Sequence, residues 1–253
     1  MADFNNYFDK LAVKVVEVED FDSAQRYLFY GQAGTGKTSL ATSASLVPEL
    51  CPVLVIDIEH GSLPAIQHGD LDNMTILRPK DFKEVSEIIK MIDKPDFPFK
   101  CVIFDTADKF QEMVTRHWGK ISDNPYEKWS QAYEQLVRLN DAIKAKGITS
   151  IVITHVDRVI LEGTGEVMIG PAFEGKVSPR KIPSDFDTVG YMHWEQIDED
   201  TVIPVLVTRT GEDIITKQRF AMPDSLGSPT MEKIMVYYRE WKEEYLKKEI
   251  EDE

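Results

Sequence analysis

Tyr27-Leu28-Phe29-Tyr30-Gly31-Gln32-Ala33-Gly34-Thr35-Gly36-Lys37-Thr38 is the stretch on which the fold turns. Its four apolar residues predict a buried strand, the glycine-rich run predicts a loop, and Ser39-Leu40-Ala41-Thr42-Ser43-Ala44 suits the start of a helix. The loop fits G-x-x-x-x-G-K-[ST], with Gly31, Gly36, Lys37 and Thr38 at the required spacing. The expected phosphate cradle is therefore Gly31, Gln32, Ala33, Gly34, Thr35, Gly36, Lys37, Thr38 and Ser39. Glycines let backbone N–H groups turn inward around a triphosphate, and the helix N-terminus behind them favours negative charge. Lys37 reaches the outer phosphates in this reading, and the Thr38 hydroxyl holds Mg²⁺. A glycine-rich turn that binds nothing has no need of Gly-Lys-Thr at its end.

Around this stretch lie 253 residues, enough for one large α/β domain with appendages or for two small ones. Hydrophobic residues make up 42% and charged residues 29%, as in an ordinary globular protein. No apolar run approaches the ~20 residues of a membrane span, and Met1-Ala2-Asp3-Phe4-Asn5-Asn6 lacks the basic and apolar regions of a secretion signal. Cys51 and Cys101 each border a predicted buried strand, which suits a reducing compartment. The expected location is the cytoplasm, with no membrane partner. A net charge of −15 favours solubility and works against a broad nucleic-acid surface. It leaves room for a local basic loop in an oligomeric channel.

Further along the chain, Pro52-Val53-Leu54-Val55-Ile56-Asp57 suits a central parallel strand ending in Ile58-Glu59-His60. Carboxylates at such a strand end face the ligand crevice of a doubly wound sheet. Glu59 then reads as the group that orients or deprotonates an attacking water, or, with Asp57, as a turn and cap residue. Asp81-Phe82-Lys83-Glu84 has capping-box spacing before a helix with Val85, Ile88, Ile89 and Ile92 on one face. Cys101-Val102-Ile103-Phe104-Asp105 predicts a second nucleotide element, with Asp105 in the Mg²⁺ shell. Thr106 follows Asp105 where an AAA+ ATPase usually has glutamate, and Asp108 stands where a GTPase has glycine.

Residues 107–147 read as two helices around the loop 119–125. Trp118, between Arg116 and Lys120, is a base-stacking candidate, although an aromatic at helical spacing is more often core. Ser150-Ile151-Val152-Ile153-Thr154 predicts a strand that delivers His155 to the crevice, as a γ-phosphate sensor or as a partner of a neighbouring turn. Beyond Arg158 the sequence predicts a hairpin through Gly163-Thr164-Gly165, then a loop with Lys176, Arg180 and Lys181 that either meets a phosphodiester backbone or is plain solvated surface. Largely antiparallel strands are expected at 187–192, 202–207 and 214–220, the last pair turned by Gly211-Glu212-Asp213. Ser228 and Pro229 predict the start of a C-terminal helix that ends in a solvated or frayed acidic tail. Within residues 1–25, Val13 to Val18 reads as a strand, and Tyr7, Phe8 and Leu11 share a helix face.

Taken together, these segments resemble the RecA-like P-loop ATPases, and most closely the small phage ATPases of the RecA/RadA superfamily, single-strand annealing proteins among them. The likeness covers about residues 26–220, with the C-terminal helix and tail at 228–253, in one domain over 1–253. It implies an α/β fold with a mostly parallel central sheet, flanking helices and a C-terminal antiparallel extension. It implies ATP and Mg²⁺ as cofactors, Glu59 as general base, Asp105 on the metal and a strand-end histidine at His155. Thr216-Lys217-Gln218-Arg219-Phe220 is similar to the RadA-type Lys-Asn-Arg-Phe-Gly motif, with Ala221 in place of the glycine. That likeness implies that Lys217 and Arg219 reach a neighbour's γ-phosphate in a ring or filament, while an edge strand carries such charges merely to block aggregation. Recombination or annealing of single-stranded DNA is the implied setting. The other readings are an ATP-dependent scaffold that does not touch DNA and, with neither acceptor site nor lid identified, a P-loop kinase.

Overall fold

The computed structural model describes residues 24–61, 67–122, 124–160, 165–173, 175, 181–209 and 213–251. In chain order its strands are β1 (Arg26–Gly31), β2 (Val53–Asp57), β3 (Met74–Leu77), β4 (Cys101–Asp105), β5 (Thr149–Ile160), β6 (Val167–Pro171), β7 (Thr188–Gln196), β8 (Val202–Val207), β9 (Lys217–Gln218) and β10 (Ser225–Gly227). The helices are α1 (Lys37–Thr42), α2 (Phe82–Ile92), α3 (Ala107–Trp118), α4 (Pro125–Ala145) and α5 (Met231–Glu251). The strand order is β10-β8-β7-β1-β5-β4-β2-β3, with β6 on β5 and β9 on β7. β3, β2, β4, β5, β1 and the first half of β7 run parallel, and β8 and β10 extend the sheet antiparallel. The sheet is mostly parallel with an antiparallel extension, as the sequence implied.

The central strands are apolar throughout because both faces are covered. Leu28, Tyr30, Leu54, Ile56, Val102, Phe104 and Val152 pack with α2, α3 and α4 through Val85, Ile89, Phe110, Val114, Leu136 and Leu139. The alternate residues Tyr27, Phe29, Val53, Val55, Ile103, Ile151 and Ile153 pack with α1 and α5 through Leu40, Met231, Ile234 and Tyr238. Helix α2 has the expected N-cap, with Asp81 Oδ1 accepting from Glu84 N at 3.0 Å, but the return bond of Glu84 Oε2 is to the N–H of Lys80, one residue before the cap, at 2.7 Å. Trp118 packs against the first cluster, so the core reading holds for it. Among the described residues, no helix is long and apolar enough to cross a membrane.

Several expectations change. β3 has no counterpart in the sequence reading. β7 is parallel to β1 as well as antiparallel to β8, because it inserts beside the phosphate-loop strand. The stretch 214–220 is not one strand: Ile214 bridges Ile169, and the two residues of β9 pair with β7. Ser228 does not cap α5, since its φ of 45° lies outside the extended conformation of an N-cap. Thr230 takes that place, its Oγ1 accepting from Lys233 N at 3.3 Å. The acidic tail is helical to Glu251. β5 and β6 form the expected hairpin, but Gly163 and Thr164, the elements foreseen in residues 1–23, Lys176, Arg180, Gly211 and Glu212 lie outside the described residues.

Candidate functional site

The apolar strands bring the polar candidates to one edge. Gly31 closes β1 and is the register partner of His155 on β5 and of Met192 on β7. Asp57 closes β2 and is the partner of Asp105 on β4. A Cβ at Gly31 would lie 2.2 Å from the Met192 carbonyl oxygen, so the loop leaves the sheet where only glycine fits. Gly36, at φ 88°, turns the chain into α1. Thr35 Oγ1 donates to Gln32 O at 2.8 Å, and Trp194 Nε1 donates to Gly34 O at 3.2 Å.

Lys37 is 6% exposed and folds back on this loop, donating from Nζ to Gly31 O at 2.9 Å and to Gln32 O at 2.7 Å. Burial pushes its pKa down, against the pull of Asp105, Glu59 and Asp108. Thr38 Oγ1 donates to Asp105 Oδ2 at 2.8 Å. The other oxygen, Asp105 Oδ1, is buried without a hydrogen-bond partner. Burial raises the Asp105 carboxyl to about 6, with Asp57 and Glu59 adding and Thr38 and Lys37 opposing. A hydroxyl and a carboxylate with an unused oxygen are hard donors of the kind Mg²⁺ takes, so these two residues fit the implied ion. Among the described residues no cluster of three or more His, Cys, Asp or Glu forms a metal cage. Mg²⁺ at nucleotide sites usually completes its shell with phosphate and water instead.

Glu59 lies just past β2, where its N–H donates to Asp105 O at 3.3 Å. Its side chain is 39% exposed, and Oε1 is 3.7 Å from His155 Nε2. The other ring nitrogen, Nδ1, is 2.8 Å from Asp108 Oδ2. Asp108 Oδ1 accepts from Thr154 Oγ1 at 3.2 Å and from His155 N at 3.4 Å. The Asp108 hydrogen bond raises the His155 pKa against burial, while Glu59 adds and Lys37 opposes. Burial pushes the Asp108 carboxyl up, but the hydrogen bond and charge of His155 outweigh it and hold the group below the ordinary carboxylate range. The structure thus gathers Lys37, Thr38, Glu59, Asp105 and His155 in one crevice and adds Asp108, which has no functional role in the sequence reading. Its signal was faint: an aspartate in the first turn of a helix, far in the chain from the histidine that it holds.

Lys217 and Arg219 are elsewhere. Arg219 Nη1 donates to Asp187 Oδ1 at 2.7 Å, and Asp187 also accepts from Arg26 Nε at 3.0 Å and Nη2 at 2.9 Å. Arg26 opens β1 and Gly31 closes it, so this cluster sits at the opposite sheet edge from the chain's own phosphate loop. Lys217 Nζ donates to Ser184 O at 2.7 Å. β9 stops at Gln218, so the strand alternation expected to align the two cations does not extend to Arg219.

A family model described as an AAA domain matches residues 23–220. No curated protein matches the chain. Among solved structures, the chain is similar to the RadB recombinase, at 19% identity over 72% of this chain and 80% of that one, with a TM-score of 0.46. The phosphate loop, Glu59, Asp105, Asp108 and His155 all fall within the span of the family model, and the chain belongs to the AAA-domain family.

Proposed function

We propose that the chain is an oligomeric, Mg²⁺-dependent ATPase acting in DNA recombination or single-strand annealing. The observation that carries the ATPase reading is the Thr38–Asp105 pair, with one buried carboxylate oxygen left for a cation. The loop from Gly31 to Ser39 binds the phosphates through backbone N–H groups, and Lys37 leaves its carbonyl partners to neutralise the outer ones. Thr38 and Asp105 would hold Mg²⁺, which would supply positive charge to the phosphate oxygens. Glu59 accepts a proton from the attacking water as its oxygen bonds to the terminal phosphorus and the bond to ADP breaks. That glutamate stands at the end of the strand next to Asp105, which meets the need left by Thr106. His155 faces the terminal phosphate, and Lys217 and Arg219 serve a neighbouring subunit's site. The DNA setting rests on the sequence resemblance alone. The net charge of −15 favours a second reading, an ATP-binding scaffold that leaves DNA untouched.

ATP turnover with and without single-stranded DNA, at several salt concentrations, tests both. Stimulation that grows with strand length and fades with salt is expected for the first reading. Turnover without any response to DNA favours the scaffold. Lys37→Ala should abolish turnover with the fold intact, and undiminished hydrolysis in that variant removes the ATPase assignment.

A further inference from the structure

Asp108 has no part in the reaction outlined above, yet its side chain is only 13% exposed and both of its oxygens are spent on the strand end that carries His155. A first-turn aspartate ordinarily serves its own helix. Asp108 also reaches residues 46 and 47 positions away, on β5. Its own anchor is firm, because Ala107, Phe110 and Val114 of α3 are fully buried. Three contacts then define the histidine: Oδ1 holds the Thr154 hydroxyl and the His155 N–H, and Oδ2 holds the ring. An ionised carboxylate can only accept, so Nδ1 carries a proton and Nε2 is the nitrogen turned to the crevice. There it faces Glu59 Oε1 at 3.7 Å, beyond hydrogen-bond length but close enough for charge to act.

We propose that Asp108 is a positioning residue, which grips His155 by Nδ1 so that Nε2 is presented to Glu59 and the phosphate-loop mouth, and which acts on the reaction only through that ring. The inference rests on the ATPase reading for its catalytic consequence, though not for the grip itself. The charged groups that bear on the ring are Asp108 from α3, Glu59 from the end of β2 and Lys37 from α1. With Asp108 gone, the ring is free to turn about its side-chain bonds, and among the described residues Glu59 is the carboxylate left beside it. Binding of nucleotide, which depends on the loop and Lys37, should change little. Turnover, which depends on the arrangement around Glu59, should fall.

Two measurements test this. The first is ¹⁵N NMR of the His155 ring in nucleotide-free wild type, Asp108→Asn and Asp108→Ala, with the signal assigned by its loss in His155→Gln. The wild-type ring should keep Nδ1 protonated and hold its second proton to higher pH than either variant. The second is steady-state kinetics. Asp108→Ala should lower kcat on the order of tenfold to a hundredfold, with KM for ATP within about threefold. In a His155→Ala background the same change should add less than about twofold, because its route to the reaction is already gone. Unchanged ring signals in the variants, or fully additive losses in the double variant, overturn the proposal. Asp108→Asn, nearly the same shape, replaces the alanine variant in the cycle if that protein melts early. If the wild type turns over no ATP, the ATPase reading fails, while the ring signals still decide whether Asp108 positions His155.

Discussion

Asp57 and Asp105 are register partners at the ends of β2 and β4, at most 1% exposed, and their carboxylates meet opposite treatment. Asp57 is matched inside the protein: Arg78 Nε donates to Oδ2 at 3.0 Å and Gly61 N donates to Oδ1 at 3.1 Å. Asp105 has one bond, from Thr38, and an oxygen with no partner. A buried carboxylate that is fully paired belongs to the fold. One left half paired is costly to bury and stays available to something that arrives from outside. Asp57 thus follows the turn-and-cap reading, whereas Glu59, two residues on, points into the crevice.

The sharpest way to break this contrast is Asp105→Asn. Loss of the carboxylate should lower Mg²⁺-dependent turnover ~10²-fold or more, since the phosphate charge is then poorly neutralised. Stability of the nucleotide-free protein should move the other way. Burial raises this carboxyl from 3.8 to about 6, so the folded state binds its proton more tightly than the unfolded chain does. Stability is therefore fullest below the ordinary carboxylate range and is lost as the pH climbs through about 6. Above that, ionisation costs on the order of 3 kcal/mol, and asparagine removes the cost. Melting at pH 8 should show the variant more stable than the wild type, with the gap closing toward pH 4. A variant that melts lower at pH 8 would show that the Asp105 charge is matched as well as that of Asp57.

Arg78→Ala tests the other half. It strips Asp57 of its cation and leaves a buried charge with less support, which for a well-buried pair costs about 3–5 kcal/mol. Because the Arg78 side chain is 43% exposed, water can reach that end of the pair, and a smaller loss, about 1–3 kcal/mol, is expected. Urea denaturation at pH 7 measures it. Asp57→Asn in the same chain should recover part of the loss, as the carboxylate that lost Arg78 no longer carries a charge. A loss no larger than that of an ordinary surface arginine would erase the distinction between the two aspartates.

The same contrast explains what the sequence could and could not show. β1, β2, β4 and the first half of β5 were legible because a strand covered on both faces is a continuous apolar run, and all but β1, which ends in Gly31, run into a polar residue. The phosphate loop was legible because its spacing is the chemistry. β3 was missed: Met-Thr-Ile-Leu is four residues long with Thr75 exposed, a weak pattern at the sheet margin. The parallel pairing of β7 was hidden because hydrophobicity reports burial and not the neighbour. Stretch 214–220 has strand-like composition, but its partners are spread over β6 and β7, so it breaks into a bridge and a short ladder. The Asp108–His155 contact joins two elements that only the sheet order makes adjacent. Which of two neighbouring aspartates would find an arginine could not be read from strand endings that look alike.

The smallest effect on stability is expected at the far edge of the sheet, where a third aspartate has more partners than it needs. Asp187 is held by the Arg26 backbone N–H at 3.0 Å and by two guanidinium bonds before Arg219 adds its own. The Arg219 side chain is 54% exposed, so Arg219→Ala, alone or with Lys217→Ala, should cost less than about 1 kcal/mol in urea denaturation. A purely structural cluster would then leave turnover unchanged. Service to a neighbour's site predicts instead that the double variant folds normally and hydrolyses poorly, because cations supplied in trans stabilise transition-state charge. Mixing separates the two outcomes. The double variant and Glu59→Gln should each be nearly inactive alone, yet mixed assemblies contain interfaces that join an intact Glu59 to an intact Lys217 and Arg219. Activity that returns on mixing, with subunit exchange confirmed by labelled protein, would make this cluster an outward-facing half of an active site. If exchange occurs and no activity returns, the basic pair acts within its own subunit or has no catalytic role.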